Sequence, residues 1–212
     1  MSTQTNKYLI LSGFLGPIIF ALVILIAGFF YPGYNHVNQV ISDLGAVDSP
    51  VKDFMNIFGF MLFGVFILAF SIGVYKIRGS FLGKIISMLF ALAGIGIFLV
   101  GIFPSDPACN LGPRFCPPPT SAGEIHNNLR FVSYFFFFPA FILLILETRK
   151  EKTMRYYVIP AAVLGLITVF FAFNWANWNS PTLGGLNQRI AIGTPFLLMM
   201  YTSWKLSRLK SK

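Results

Sequence analysis

The chain has 212 residues, of which 56% are hydrophobic and only 11% are charged, and its mean hydropathy is +0.72. An ordinary soluble domain carries about a quarter charged residues, so this chain has too little polar surface for a soluble fold. The composition therefore excludes an ordinary soluble enzyme. It predicts an all-α integral membrane protein that forms one domain over residues 1–212.

Six apolar stretches are long enough to be transmembrane helices. The hydrocarbon core of a bilayer, about 30 Å thick, takes roughly 20 apolar residues of helix. The first stretch begins after a single lysine and is too long for a signal-peptide core, so we interpret it as a mature helix. The sequence thus predicts a polytopic six-helix bundle with spans at residues 8–30, 54–75, 85–103, 122–146, 156–175 and 189–204.

The basic residues are unevenly divided between the two sides of this bundle. Of the 16 Lys and Arg residues, all but Lys52, Arg114, Arg130 and Arg189 lie at the termini or in the two loops on the side of the termini. Cytoplasmic segments carry the excess of Lys and Arg, so we expect both termini in the cytoplasm of a multi-pass plasma-membrane protein. This placement explains the net charge of +9 and gives no reason to expect a nucleic-acid partner.

The first outer loop has a helical pattern of its own. Its apolar residues from Val37 to Leu44 recur at the i, i+3, i+4, i+7 spacing of one helix face. Asn35 is suited to cap this segment and Gly45 to end it. We therefore predict a short interfacial helix, whose other face carries the polar residues His36, Ser42 and Asp43.

The second outer loop is rich in proline and holds both cysteines of the chain, Cys109 and Cys116. Thiols outside the cytoplasm are exposed to oxidising conditions, which favours a disulfide that closes this loop. Two free thiols, or a metal-binding pair that lacks further ligands, are the alternatives.

Polar residues also mark the start of the fourth span. Ser121 and Glu124 fit a capping box. With that start, His126, Arg130 and Ser133 share one helix face. Arg130 then lies about two turns inside the helix, where a charge is costly and calls for an anionic partner. Three carboxylates are within plausible reach of it: Asp43, Asp106 and Glu124.

Arg189 opens the sixth span. A cation in the first turn opposes the helix dipole at a cost of roughly 0.3–1 kcal/mol if it is unpaired. Its position therefore indicates a protein partner or an anionic ligand.

These residues allow two interpretations. In the first, Asp43, Asp106, His126, Arg130 and Arg189 gather in one polar pocket at the outer helix ends. In the second, they are interfacial residues and internal ion pairs that hold the loops in place.

Cofactor chemistry has weaker support. His36, Asp43, Asp106 and His126 would make a zinc set by residue type, but no tight ligand spacing supports it. Phosphate-binding and dinucleotide fingerprints are missing from the sequence, so we predict no cofactor.

Four short segments carry a resemblance to a known family: Tyr31–Tyr34, Ile41–Gly45, Phe103–Asp106 and His126–Asn127. Taken in this order around six helices, they resemble the membrane proteins grouped as domain of unknown function 998. The resemblance covers nearly the whole chain, and the family has no settled activity to carry across.

A more distant resemblance is to the DRAM/FRAG/Sfk group of six-helix membrane proteins. Residues 41–45, the following Pro50 and His126 occupy the places of that group's Ile-Ser-Asp-x-Gly segment, its proline and its histidine. Some of its members are linked to lipid remodelling, so the resemblance implies a lipid head group as ligand. This is an analogy at the level of fold.

Three functions follow as hypotheses. In the first, a membrane lipid or another anionic amphiphile binds in the outer pocket, where Arg130, Arg189 and Ser42 contact it, since guanidinium suits phosphate geometry. In the second, the protein is a lipid-modifying enzyme, a hydrolase or transferase, with His126 as base and Asp43 or Asp106 as its orienting group. The third is a small-molecule transporter, which the scarcity of polar groups at the span centres disfavours.

Overall fold

The computed structural model describes residues 3–107, 119–148, 158–176 and 183–208, and within these ranges the chain is helical with no strand. The predicted all-α membrane bundle is confirmed, and each predicted span overlaps one long helix. The long helices are α1 (Thr3–Phe30), α2 (Lys52–Arg78), α3 (Phe81–Ile102), α4 (Ser121–Thr148), α5 (Val158–Ala176) and α6 (Gly184–Leu206).

Four of these helices, α1 to α4, are long and apolar enough to cross a membrane. In α5 the described side chains form an apolar stretch over Val158–Phe171. Helix α6 is long enough to span but less apolar, because Gln188 and Arg189 lie near its start. The chain is therefore a multi-pass membrane protein whose last helix carries polar residues at one end.

The helices follow one another around the bundle in the order α4, α3, α2, α1, α6, α5, each packed on the next. The Ser203 hydroxyl donates a hydrogen bond of 2.6 Å to the Ile10 carbonyl oxygen, which joins the end of α6 to the start of α1. The two chain ends thus lie at the same end of the bundle. We call this the basic end, because it carries Lys7, Lys76, Arg78, Lys84, Lys205 and Arg208.

Aromatic side chains fill the centre of the bundle. Phe70 of α2 meets Phe90 of α3 edge to face at 5.3 Å between ring centroids, and Phe90 meets Phe141 of α4 at 5.1 Å. Phe70 and Phe90 are fully buried. Such pairs contribute about 0.5–1.5 kcal/mol beyond their buried area, so they fix how α2, α3 and α4 pack.

The opposite end, which we call the loop end, is covered by the first outer loop (residues 31–51). The short helix predicted there is present as a single 3-10 turn, Ile41–Gly45, with all five residues buried. It is shorter than the pattern suggested, because Asn35 accepts from the Val37 and Asn38 amides in a turn of its own. Ile41 and Leu44 of the 3-10 turn are therefore buried, whereas Val37 of the first turn is 43% exposed.

The backbones of α2 and α3 approach each other closely at Gly64. A Cβ atom on Gly64 would lie 2.6 Å from the Phe98 backbone nitrogen and 2.7 Å from the Gly94 carbonyl oxygen. Small residues at helix interfaces allow this kind of packing in membranes. Gly165 on α5 is a natural comparison, since a Cβ there would meet no atom within 4 Å.

We expect Gly64→Ala to destabilise the protein by about 1–3 kcal/mol, since the neighbouring backbone atoms must move apart to admit a methyl group. Gly165→Ala, the matched control, should be neutral or stabilising by up to about 1 kcal/mol, as expected for replacing a helical glycine in open space. Thermal unfolding in detergent measures both. Equal melting of Gly64→Ala and the wild type would contradict the proposed helix contact.

Candidate functional site

A cavity of about 50 Å³ lies near the loop end, between helices α1, α2, α3, α4 and α6 and under the first outer loop. One part of its wall is polar, and the rest is aromatic or aliphatic. The polar wall consists of Ser42, His126, Arg130, Ser133, Tyr134 and Gln188. The apolar wall consists of Phe20, Ile41, Phe60, Phe63, Ile67, Ala93, Ile97, Val100, Phe137, Ile192 and Phe196.

His126 is the most deeply buried titratable side chain of this wall, at 1% exposed. Its Nδ1 lies 2.8 Å from the Phe103 carbonyl oxygen at the end of α3. A carbonyl oxygen only accepts, so Nδ1 carries the hydrogen and the neutral ring presents Nε2 as an acceptor. This Nε2 is buried and makes no hydrogen bond to any described residue. A buried acceptor without a hydrogen bond is a favourable position for a ligand or water that donates to it.

Arg130 and Ser133 lie on the same face of α4 as His126, as predicted, and all three line the cavity. The start of α4 is set one residue earlier than expected, because Thr120 and not Ser121 caps it, with the Gly123 amide donating to the Thr120 hydroxyl at 3.1 Å. The Arg130 guanidinium lies over the Phe131 ring at 5.1 Å from its centroid. Half-buried Arg130 thus brings a positive charge to the cavity wall.

Ser42 and Gln188 join the first outer loop to the cavity. Gln188, 2% exposed, accepts a hydrogen bond of 2.5 Å from the Ile41 amide through its side-chain oxygen. The Ser42 carbonyl oxygen accepts from the Ser105 hydroxyl at 2.8 Å. These two bonds hold the 3-10 turn against α6 on one side and the end of α3 on the other. Gln188 was not among the sequence-predicted site residues.

Asp43 lies beside the cavity but does not line it. One carboxylate oxygen accepts from the Val40 amide at 3.2 Å, so the side chain caps its own 3-10 turn. The residue is 9% exposed. Burial raises the pKa of the Asp43 carboxyl to about 6, against the opposing effects of the Val40 amide and Arg189.

Asp106 positions the start of α4. Its carboxylate accepts from the Thr120 hydroxyl at 2.6 Å and from the Thr120 amide at 3.0 Å, which fixes the start of α4. The His126 ring is thus oriented by a backbone carbonyl and not by this carboxylate.

Cys109 and Cys116 lie outside the described residues, so the disulfide between them stays a prediction.

Arg189 holds the first outer loop to α6. Its guanidinium donates to the carbonyl oxygens of Gln39 at 2.8 Å and Gly185 at 3.0 Å, and to the Tyr34 hydroxyl at 2.7 Å. It also meets His36 Nδ1 at 3.1 Å, and because a guanidinium only donates, this nitrogen accepts. The position of Arg189 indicated that it needs a partner, and the structure supplies a set of neutral acceptors.

Two groups of residues therefore emerge from the predicted set. His126, Arg130 and Ser42 converge on the cavity, whereas Asp43, Asp106 and Arg189 make bonds that position the loops and helix starts around it. Among the described residues, no three His, Cys, Asp or Glu side chains lie close enough together to bind a metal ion. The zinc set considered from the sequence is thus not assembled.

The pH dependence of stability should follow Asp43 and His36, with opposite signs. The pKa of Asp43 is raised above 3.8, so its contribution is present below that value and is lost as pH rises through about 6. Burial and then the charge of Arg189 lower the pKa of His36 below 6.5. Its contribution is therefore present above pH 6.5 and is lost as pH falls through the lowered pKa.

We expect Asp43→Asn to stabilise the protein at about pH 8 by roughly 1–2 kcal/mol and to leave it unchanged near pH 4, where the wild-type carboxyl is protonated. The amide oxygen still accepts from Val40. Thermal unfolding in detergent across this range measures the effect. Asp53→Asn is the control, because the Asp53 side chain is 83% exposed. Destabilisation by Asp43→Asn at every pH would contradict the assignment.

The family described as "Protein of unknown function (DUF998)" matches residues 14–205. No curated protein and no solved structure matches the chain, and the distant resemblance to the DRAM/FRAG/Sfk group stays a prediction. Since the family match covers nearly the whole chain, the protein belongs to the DUF998 family of proteins of unknown function.

Proposed function

We propose that the protein binds an anionic amphiphile, such as a membrane lipid with a phosphate or carboxyl head group, in the cavity near the loop end. The observation that carries the proposal is the buried His126 Nε2, an acceptor with no hydrogen bond to the described residues, in a cavity that Arg130 also lines. A head group with one O–H that donates to Nε2 and a second oxygen that accepts from Arg130 satisfies both side chains. Protonated phosphate monoesters and carboxylic acids have this chemistry.

The apolar wall supports the same ligand class. Phe20, Phe63 and Phe196 form a contiguous aromatic surface, with Phe63 and Phe196 at 4.7 Å and Phe20 and Phe63 at 4.8 Å between ring centroids. Binding pockets for small molecules combine such surfaces with a few well-placed polar groups. In our proposal the hydrocarbon chain lies along this surface and the head group at His126 and Arg130.

Saturable binding of tritiated oleoyl lysophosphatidate to the purified protein in detergent tests the proposal. We expect His126→Ala and Arg130→Gln each to weaken binding about tenfold, the usual loss for a hydrogen bond to a charged group. Oleate should compete, whereas oleoyl lysophosphatidylcholine, whose phosphate is a diester without a proton, should not. Equal binding of all three lipids, or no saturable binding of the two acids, would contradict the proposal.

Matched control variants are available for both residues. Lys84→Gln removes a cation at the basic end, and His36→Asn replaces the only other histidine while keeping an acceptor for Arg189. Both should bind like the wild type. Equal weakening by Lys84→Gln would indicate general electrostatic attraction and would overturn the assignment of Arg130.

A lipid-modifying enzyme is the second candidate. A histidine whose Nδ1–H is held by a carbonyl and whose Nε2 accepts is arranged as a general base. Mass spectrometry of the lipid after incubation distinguishes the two functions, because turnover abolished by His126→Ala would establish catalysis. A third function, small-molecule transport, would appear as flux in proteoliposomes.

We further propose that the basic end faces the cytoplasm and that the protein resides in the plasma membrane. The ring of Trp204 near the end of α6 packs against Arg208 at 4.0 Å and Lys205 at 4.8 Å, as an anchor at a membrane interface does. A carboxyl-terminal fluorescent fusion should therefore be shielded from protease added to intact cells. Digestion of that fusion would reverse the orientation and would remove the basis for the Cys109–Cys116 disulfide.

A further inference from the structure

The wall of the cavity is incomplete on one side. Helix α4 packs on α3, and α6 packs on α1 and α5, but among the described residues α4 makes no more than isolated contacts with α5 or α6. Both α4 and α6 nevertheless contribute side chains to the same cavity. Among the described residues, a gap therefore runs along the line between α4 and α6 at the level of the cavity.

Side chains at this opening have the expected intermediate exposure. Arg130 and Tyr134 of α4 and Phe196 of α6 line the cavity and are each only half-buried. The neighbouring α4 residues Phe131 and Phe135 are 58% and 72% exposed. In a membrane, large apolar side chains this exposed face acyl chains, so the cavity mouth borders the hydrocarbon region.

Gly193 adds an independent observation on α6. It follows Ile192, which lines the cavity, at about 100° around the helix. A Cβ at Gly193 would meet no atom within 4 Å. Within the described part of the chain, nothing packs against α6 at Gly193.

The route from the loop end, by contrast, is covered. The 3-10 turn Ile41–Gly45 is buried, and Ile41 and Ser42 close that part of the cavity. Bonds from Gln188, Ser105 and Arg189 hold the loop in place. A ligand arriving from water would have to break several of these bonds.

We propose that the cavity is loaded laterally from the bilayer, through the opening between α4 and α6, by a membrane-dissolved amphiphile with a single acyl chain. This inference rests on the proposed function and adds the route and the chain number. A cavity of about 50 Å³ cannot enclose a lipid head group and its chain, so only the acidic group lies inside, while the rest of the head group and the chain extend through the mouth into the membrane.

Gly193→Trp tests the route, because a Cβ at this position meets no atom within 4 Å and an indole built on it would extend over the open side. The probe is oleoyl lysophosphatidate carrying a mid-chain diazirine, in vesicles that contain the protein. In the wild type, irradiation should label peptides from α4 and α6 around Tyr134 and Phe196. In Gly193→Trp we expect binding to reach equilibrium at least about fivefold more slowly, with affinity within about twofold, since a gate acts on rates more than on the bound state.

Leu22→Trp is the control, since Leu22 of α1 is 52% exposed and does not line the cavity. It should load at the wild-type rate. Loading of Gly193→Trp at the wild-type rate, or labelling confined to the first outer loop, would overturn the lateral route while the proposed function stands. Failure of the wild type to bind the probe would overturn both.

Discussion

The hydrogen bonds of Arg189 hold the first outer loop across one end of the helix bundle, and the cavity depends on them. A cation at this depth needs polar partners, and here two carbonyl oxygens, a tyrosine hydroxyl and a histidine nitrogen supply them. The loop in turn places Ile41 and Ser42 over the cavity. Together with the bond between Gln188 and Ile41, this attachment fixes the position of the buried 3-10 turn relative to α6.

The sequence predicted the six helices well, because hydrocarbon requires long apolar helices and leaves few alternatives. It also predicted that His126, Arg130 and Ser133 share a face, because helical spacing decides this. The partners of Arg189 could not be read from the pattern, since residues 34–43 meet α6 only in the folded chain. A search of the sequence for opposite charges does not find neutral backbone acceptors such as these. Asp43 and Asp106 bond instead to groups near helix starts, Val40 and Thr120.

Gln188 and the Phe103 carbonyl are two groups of the site that the sequence analysis missed. Gln188 directly precedes the predicted sixth span and was not among the predicted site residues, although its side chain is 2% exposed and bonded to Ile41. The Phe103 carbonyl is free to accept from His126 because it lies just past the last residue of α3. The predicted end of α3 could have indicated this bond, because the last carbonyl groups of a helix need hydrogen-bond donors.

The proposals join one chemical feature to one geometric feature of the described residues: a buried histidine acceptor beside a cation, and a gap between α4 and α6 at the same depth. The most direct measurement is an experimental structure in lipid nanodiscs with oleoyl lysophosphatidate. We predict head-group density within hydrogen-bond distance of His126 Nε2 and Arg130, and chain density that leaves between α4 and α6. Side chains filling the cavity, or ordered water alone at Nε2, would contradict the account.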